Sequence, residues 1–452
     1  MRSLVLTLVL LLAAPAALAG EPSERTLSLA EAVDAAAEQN LTIAALEQSL
    51  EQAQGQLTQA RGLLLPMVSA GGTWSHADHE DAVDMTSGIM AMFEELGFPI
   101  PDDVESEPTV VRVQDDVTGN LSASLSILNP QLWAAAHLAR EGADLAEISV
   151  EQARQGLLMG VAQAWYAVHM TGALVEVQDE RVQTSLGHLD VAERRQAAGA
   201  GLRIDVVRAR TEVAQARQDL LTARLAWESA RDALGVLTGL GGLPVAGEAP
   251  ALQVPAAAGD ALVAQALSAR EDVAVARQNL ALAHASLAAS WAAFAPSVSL
   301  VWQGSYRFTE ASGFGSDDPS RWTGVASLSV PLYSHSRFGD VHAKRAAVTQ
   351  AEIKLQDVER SAGQAVRQAL RDQQTSVAAE DLAQERAALA AEALGLAETA
   401  YAQGAGSSLE VSDAQTGQVA AEVNRLTSEL RAQIATLSLL RALGADVLTV
   451  VR

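Results

Sequence analysis

The sequence predicts a mainly α-helical chain interrupted by two pairs of β-strands, and three observations predict it. One order of segments occurs twice along the 452 residues. Two stretches of about 60 residues keep helical character without a breaker. Four segments of about 10–12 residues instead alternate apolar with small polar side chains, the period of a strand.

At the N-terminus, Met1-Arg2 gives a positive start, Leu4 to Leu12 is apolar apart from Thr7, and Ala17-Leu18-Ala19 is a small-residue cleavage site. Residues 1–19 therefore read as a secretory signal peptide, with Gly20 opening the mature chain. No cysteine occurs, which excludes a lipid-anchored cysteine, disulfides and thiolate chemistry. After the signal no apolar run reaches the ~18 residues of a membrane-spanning helix. With 31 basic against 55 acidic residues the net charge is −24, which argues against a nucleic-acid partner held by a basic surface.

The duplication can be read residue by residue. Leu41 to Ser69 lies on Glu271 to Ser299 at an offset of 230, pairing Ile43 with Val273, Gln48 with Gln278 and Pro66 with Pro296. Further on the offset becomes 205: Thr118-Gly119 meets Thr323-Gly324, Gly199-Ala200-Gly201 meets Gly404-Ala405-Gly406, and Gly239 meets Gly444. The change marks 25 extra residues in the first copy, between Pro66 and Thr118.

Each copy reads helix, proline, strand, loop, strand, long helix, glycine turn, helix. The first copy covers 20–238, with strands about 66–76 and 118–129 around a loop at 77–117. The second covers 260–452, with strands about 297–309 and 322–333, and an irregular linker at 239–259 joins the two. The long helical stretches, about 134–197 and 340–402, would run roughly 90 Å at 1.5 Å per residue, a length that implies coiled-coil packing. The shorter stretches, about 28–63 with 203–238 and 260–293 with 408–442, are expected to stack end to end beside them.

In the strands, Val298, Leu300, Trp302, Tyr306 and Phe308 share one face, with Ser299, Gln303 and Ser305 on the other. Leu121, Ala123, Leu125 and Ile127 alternate with serines in the same way. This is the pattern of an outer-membrane barrel, with Trp74, Trp302, Trp322 and Tyr333 as candidate aromatic-girdle residues. Four strands cannot close a barrel, so a membrane role demands oligomers: two chains with eight strands or three with twelve both satisfy the physics.

The duplicated order, together with the turns Gln196-Ala-Ala-Gly-Ala-Gly-Leu-Arg-Ile-Asp-Val206 and Tyr401-Ala-Gln-Gly-Ala-Gly-Ser-Ser-Leu-Glu-Val411, resembles the TolC family of outer-membrane efflux proteins over essentially the whole mature chain. The resemblance implies a channel-tunnel: a homotrimer with a twelve-stranded barrel in outer-membrane lipid on a long periplasmic α-helical cylinder. The implied partners are a periplasmic adaptor protein and an inner-membrane pump or ABC exporter, in efflux or type I secretion. It also implies an entrance gate at Glu410 and Asp413, whose spacing sets two carboxylates on one helix face, with Tyr401 helping to hold it shut. The adaptor-contact tips would be Gly199, Ala200, Gly201 and Leu202 in the first turn, and Gly404, Ala405, Gly406 and Ser407 in the second. A basic residue expected near the second turn is absent, because Gly406 stands there.

The extra loop carries 12 acids against one base, Arg112, and its centre, Ile89 to Leu96, reads as a short amphipathic helix. His76-Ala-Asp-His79-Glu80 lacks the spacing of a zinc site, and no P-loop, nucleophile elbow or dinucleotide motif is apparent. No cofactor, metal or enzyme activity is therefore expected. The competing reading, a non-conducting coiled-coil envelope protein, accounts for the helices but leaves the alternating strands unexplained.

Overall fold

A computed structural model describes residues 25–99, 108–240, 244–247, 249–250, 252, 259–309 and 318–451. The signal peptide at 1–19, residues 100–107 of the extra loop and parts of the linker lie outside the described residues. In chain order the elements are β1 (Arg25–Leu27), α1 (Leu29–Gln39), α2 (Leu41–Gly62), β2 (Met67–His76), β3 (Asp81–Val83), α3 (Met85–Glu95), β4 (Thr109–Arg112), β5 (Asp115–Leu128) and α4 (Pro130–Ala197). They continue as α5 (Arg203–Thr238), β6 (Pro244–Ala246), α6 (Gly259–Ala269), α7 (Glu271–Ala292), β7 (Ser297–Arg307), β8 (Ser320–Ser329), α8 (His335–Ala402), α9 (Ser408–Ala442) and α10 (Val447–Val451).

Two compact units cut across the sequence repeats. Among the described residues, the first gathers those within 25–49, 148–275 and 356–451; the second gathers those within 50–147 and 276–355. Each unit thus draws matching pieces from both copies.

The core of the first unit is where the short helices break. Leu29, Val33 and Ala36 of α1 pack with Leu158, Val161 and Trp165 of α4, all essentially inaccessible. Burying Trp165 requires a partner for its indole N–H, which donates to the Leu27 carbonyl at 2.9 Å. Beside it β1 pairs in parallel with β6, Arg25 opposite Pro244. The linker is therefore not wholly irregular. A three-residue strand is too short to leave a period-2 signal, and proline is tolerated at a strand's first residue.

The stretches expected as single helices at 28–63 and 260–293 are each split, and both splits have one cause. Asn40 leaves helical geometry between α1 and α2. Its Oδ1 accepts from Thr42 N at 2.8 Å, and its Nδ2 donates to the Leu237 carbonyl at 2.6 Å. In the second copy Arg270 separates α6 from α7, holding Asp272 at 2.6 Å and the Ala442 carbonyl at 3.2 Å. A left-handed glycine lies against each break. A Cβ on Gly239 (φ +70°) would fall 2.8 Å from the Gln39 carbonyl, and one on Gly444 (φ +79°) 2.7 Å from the Ala269 carbonyl carbon. Gln39 and Ala269, like the two glycines, are equivalent positions of the two copies.

Helix α5 carries two seams at coiled-coil spacing. Val206, Ala209, Val213, Ala216, Leu220 and Ala223 are buried. They pack with Val182, Ala192 and their neighbours on α4. The parallel seam through Ile204, Val207, Leu221 and Leu225 is exposed, 49–67%. Helix α8 exposes Leu382, Leu389 and Leu396, one heptad apart, at 59–67%.

In the second unit β2, β5, β7 and β8 form an antiparallel sheet in that order. The last strand stops at Ser329 rather than 333, because Pro331 has no N–H to give a ladder. The third predicted strand ends at Arg307, and β5 begins at Asp115, three residues earlier than expected, where it pairs with His76. Within the extra loop, α3 spans Met85–Glu95 and a short β3–β4 hairpin flanks it, an element too brief for periodicity to reveal.

Replacing Gly444 with alanine is expected to cost roughly 1–3 kcal/mol, from the left-handed backbone and the clash together. Gly156→Ala, on an open helical surface, should be neutral or stabilising by up to about 1 kcal/mol. Thermal unfolding of the two variants in detergent checks the contrast.

Candidate functional site

Paired residues in an antiparallel ladder share a face, and the register here sorts most of the sheet by polarity. Val68, Ala123, Trp302 and Gly324 form one cross-strand row, and Ala70, Leu121, Gly304 and Trp322 the next. The rows between them fall on the opposite face: Ser69, Ser122, Gln303 and Thr323 line up there, with the hydroxyls of Ser69 and Ser122 2.6 Å apart. One face is thus apolar across all four strands, and the other is mostly polar, with one mixed row of Met67, Ser124, Val301 and Val325 near the helix end.

The apolar face is open, with Val68 65%, Trp74 68%, Trp322 74% and Leu328 68% exposed. Its aromatics run from mid-strand, at Trp302, to the loop end, and two of them lie against glycines. A Cβ on Gly304 would sit 2.7 Å from the Trp302 ring, and one on Gly119 3.1 Å from Phe308. From Phe308 down to Val298 the strand covers roughly 33 Å at about 3.3 Å per residue, or about 25 Å in height when tilted as barrel strands are.

A second aromatic group stands where the strands meet the helices. Trp291 and Phe294 have ring centroids 5.7 Å apart, Phe294 and Phe338 5.0 Å, and Phe338 and Tyr333 6.5 Å. Tyr333 therefore belongs to this group and lies outside the strand proper, while Trp74 and Trp322 sit toward the far end and Trp302, in the row of Val68 and Gly324, lies mid-strand.

The two glycine turns close the other ends of the helices, in the first unit. Gly199 (φ +73°) and Gly404 (φ +81°) take the left-handed conformation that ends α4 and α8. The Ala200 and Ala405 amides then reach back to the Arg195 and Ala400 carbonyls at 3.0 and 2.9 Å. Ser407 caps α9, its Oγ accepting from Glu410 N at 3.2 Å while Glu410 Oε2 accepts from Ser407 N at 2.9 Å. Glu410 thus closes a capping box. Asp413, one turn on, is exposed.

The two turns are tied together by Arg195 and Asp205, residues that stand out in no sequence motif. Arg195 donates to the Tyr401 carbonyl and lays its guanidinium 4.6 Å from the Tyr401 ring centroid. Asp205, in the first turn of α5, accepts from Ser408 Oγ at 2.6 Å and from Leu202 N at 3.3 Å. Tyr401 is buried between them. That burial pushes its phenol above the ordinary range, and the Asp205 carboxylate adds to the push against Arg195. Gly406 brings no base to Tyr401, and the base that faces Tyr401 comes from the other turn, as Arg195. Only the three-dimensional pairing of the turns shows this, since 206 residues separate the partners.

The profile of the family described as "Outer membrane efflux protein" matches residues 32–240 and 262–445. The chain belongs to the outer membrane efflux protein family. Fusaric acid resistance protein FusA of Burkholderia cepacia is 27% identical over 257 residues, 52% of this chain and 46% of that one. Outer membrane protein OprJ of Pseudomonas aeruginosa is 27% identical over 313 residues, 66% of this chain and 63% of that one. The match spans less than two thirds of either relative.

Among solved structures, CusC superposes with a TM-score of 0.75 at 20% identity over 92% of each chain. VceC of Vibrio cholerae gives 0.72 at 18% identity, over 92% of this chain and 96% of that one. The fold of this efflux-family member is therefore the TolC-like channel-tunnel fold. The family is one of transport channels, so the chain is not an enzyme. Among the described residues no cluster of three or more His, Cys, Asp or Glu side chains could hold a metal. His76 and His79 instead contact Asp115 at 2.9 Å and Asp78 at 2.7 Å.

Ser407→Ala is expected to lower stability by about 1 kcal/mol through loss of the helix cap. Asp413→Ala at an exposed position should stay within about 0.5 kcal/mol. Thermal unfolding separates the capping residue from an acid with no stabilising duty.

Proposed function

We propose that three copies of this chain close a twelve-stranded barrel in the outer membrane and conduct substrates passively from the periplasm to the exterior. The observation that carries this reading is the four-stranded sheet with one continuous apolar face, one mostly polar face and two open edges, β2 and β8. An open edge in lipid leaves backbone N–H and C=O groups without partners, each costing several kcal/mol, so copies must pair edge to edge. The exposed seams on α5 and α8 ask for the same neighbours along the helices. A coiled-coil spacer outside the membrane would have no use for a sheet that sorts its residues this way.

In this reading the helices form a periplasmic tunnel, and the protein is the outer-membrane component of a tripartite efflux pump or a type I secretion system. Glu410 and Asp413 of three chains ring the tunnel entrance, and Tyr401 helps to hold it shut. Arg195 and Asp205 clamp the two turns within each chain. The tips at Gly199, Ala200, Gly201 and Leu202 and at Gly404, Ala405, Gly406 and Ser407 meet a periplasmic adaptor, which couples the tunnel to an inner-membrane pump or ABC exporter. FusA is named for fusaric acid resistance, and cargo of that general kind, a small organic molecule, fits an efflux role here.

Single-channel conductance in planar bilayers tests the reading. The wild type should open a low-conductance pore, and Glu410→Ala with Asp413→Ala should raise its conductance several-fold and weaken its cation preference. Arg195→Ala should raise conductance without changing ion preference. A protein with no pore activity overturns the proposal, and a pore indifferent to all three substitutions removes the gate from these residues.

A further inference from the structure

Helix α3, inside the segment that only the first copy carries, presents an apolar stripe that the described residues leave largely exposed. Ile89, Met92, Phe93 and Leu96 fall at i, i+3, i+4 and i+7 and are 42–62% exposed. Phe98 folds back edge-on against Phe93, ring centroids 5.8 Å apart, and is itself 57% exposed. Asp84 caps the helix by accepting from Ser87 N at 2.9 Å. Asp84, Glu94 and Glu95 all lie around the far side of the helix from the stripe.

Three occupants of this stripe can be weighed. The chain's own sheet does not cover it, as the exposure shows. A membrane surface is disfavoured by charge: the helix carries no lysine or arginine, and its loop holds 12 acids against one base. Helices that lie on anionic membranes have the opposite make-up. A second copy of the chain is favoured by connectivity. The loop leaves from β2 and returns through β5, and β2 is an open edge where a neighbouring copy must pair. Each copy's α3 therefore stands beside the junction between copies.

We infer that the α3 stripes of the assembled copies pack on one another across the outer mouth of the barrel, forming a cap of three helices with their acids turned outward. This rests on the trimeric channel proposed above. The cap narrows the exterior opening, and repulsion between the acidic loops sets its strength. Salt screens such exposed charges over about 8 Å at physiological ionic strength, so the cap tightens as ionic strength rises.

The chain has no cysteine, so one introduced thiol reports its own surroundings. Met92→Cys in native membranes should be joined between copies by a short bifunctional thiol reagent several-fold more than Ala91→Cys, which lies on the opposite side of the helix. In bilayers, Met92→Ser with Phe93→Ser should admit larger neutral polymers from the loop side and raise conductance relative to bulk, with trimer mass unchanged. Equal cross-linking from both cysteines, or an intact trimer whose polymer exclusion does not change, overturns the cap alone. A wild-type chain that is not trimeric in the membrane overturns the cap and the channel together.

Discussion

A backbone amide or carbonyl in hydrocarbon has no water to bond, and this rule governs what the chain must do. The sheet β2-β5-β7-β8 satisfies its interior groups but leaves two edges unpaired. In lipid those edges are untenable, and in water the apolar face carrying Val68, Trp322 and Leu328 would be. Neither solvent suits a single copy. Closure with further copies removes both penalties at once, and the second seam on α5 extends the same demand to the helices.

Duplication supplies the means to build long walls from unequal pieces. Each copy offers one helix of 68 residues, α4 or α8, and shorter ones, α1, α2 and α5 or α6, α7 and α9. The stretch ahead of the first strand is broken at the same place in both copies, between α1 and α2 and between α6 and α7, with Gly239 against Gln39 and Gly444 against Ala269. The chemistry of the interruption differs, an asparagine cap at Asn40 and an arginine clamp at Arg270, but the close backbone approach is shared. That approach requires glycine on one side, which is why these two survive as equivalent residues amid sparse identity.

Much of the fold was legible because it is periodic. The alternation from Val298 to Phe308 fixed a strand and its faces, and the register later paired those same faces across the sheet. The starts of α5 and α9 were legible from glycine and capping chemistry at Gly199, Gly404 and Ser407. What escaped was either short or long-range. The β1–β6 pair and the β3–β4 hairpin are too brief to leave a pattern. The breaks at Asn40 and Arg270 depend on Leu237 and Ala442, some 170 to 200 residues away. The clamp of Arg195 on Tyr401 and of Asp205 on Ser408 belongs to this second kind, so the turns were visible in sequence but their union was not. Glu410 joins the two kinds: its capping box with Ser407 is local, and it coexists with a proposed place in the entrance ring because the capping carboxylate stays exposed.

The central claim is that β2 of one copy pairs with β8 of the next, and cysteine pairs walked along these two strands test it most directly. Within one chain β2 and β8 are separated by three strand spacings, roughly 14 Å, far beyond the ~4 Å between Cβ atoms that a disulfide needs. Oxidation in native membranes should therefore yield a covalent ladder that ends at three chains, for cysteines on matching rows and not for those one residue out of register. A chain that stays monomeric at every pair, or a ladder that closes at two copies, contradicts the twelve-stranded barrel.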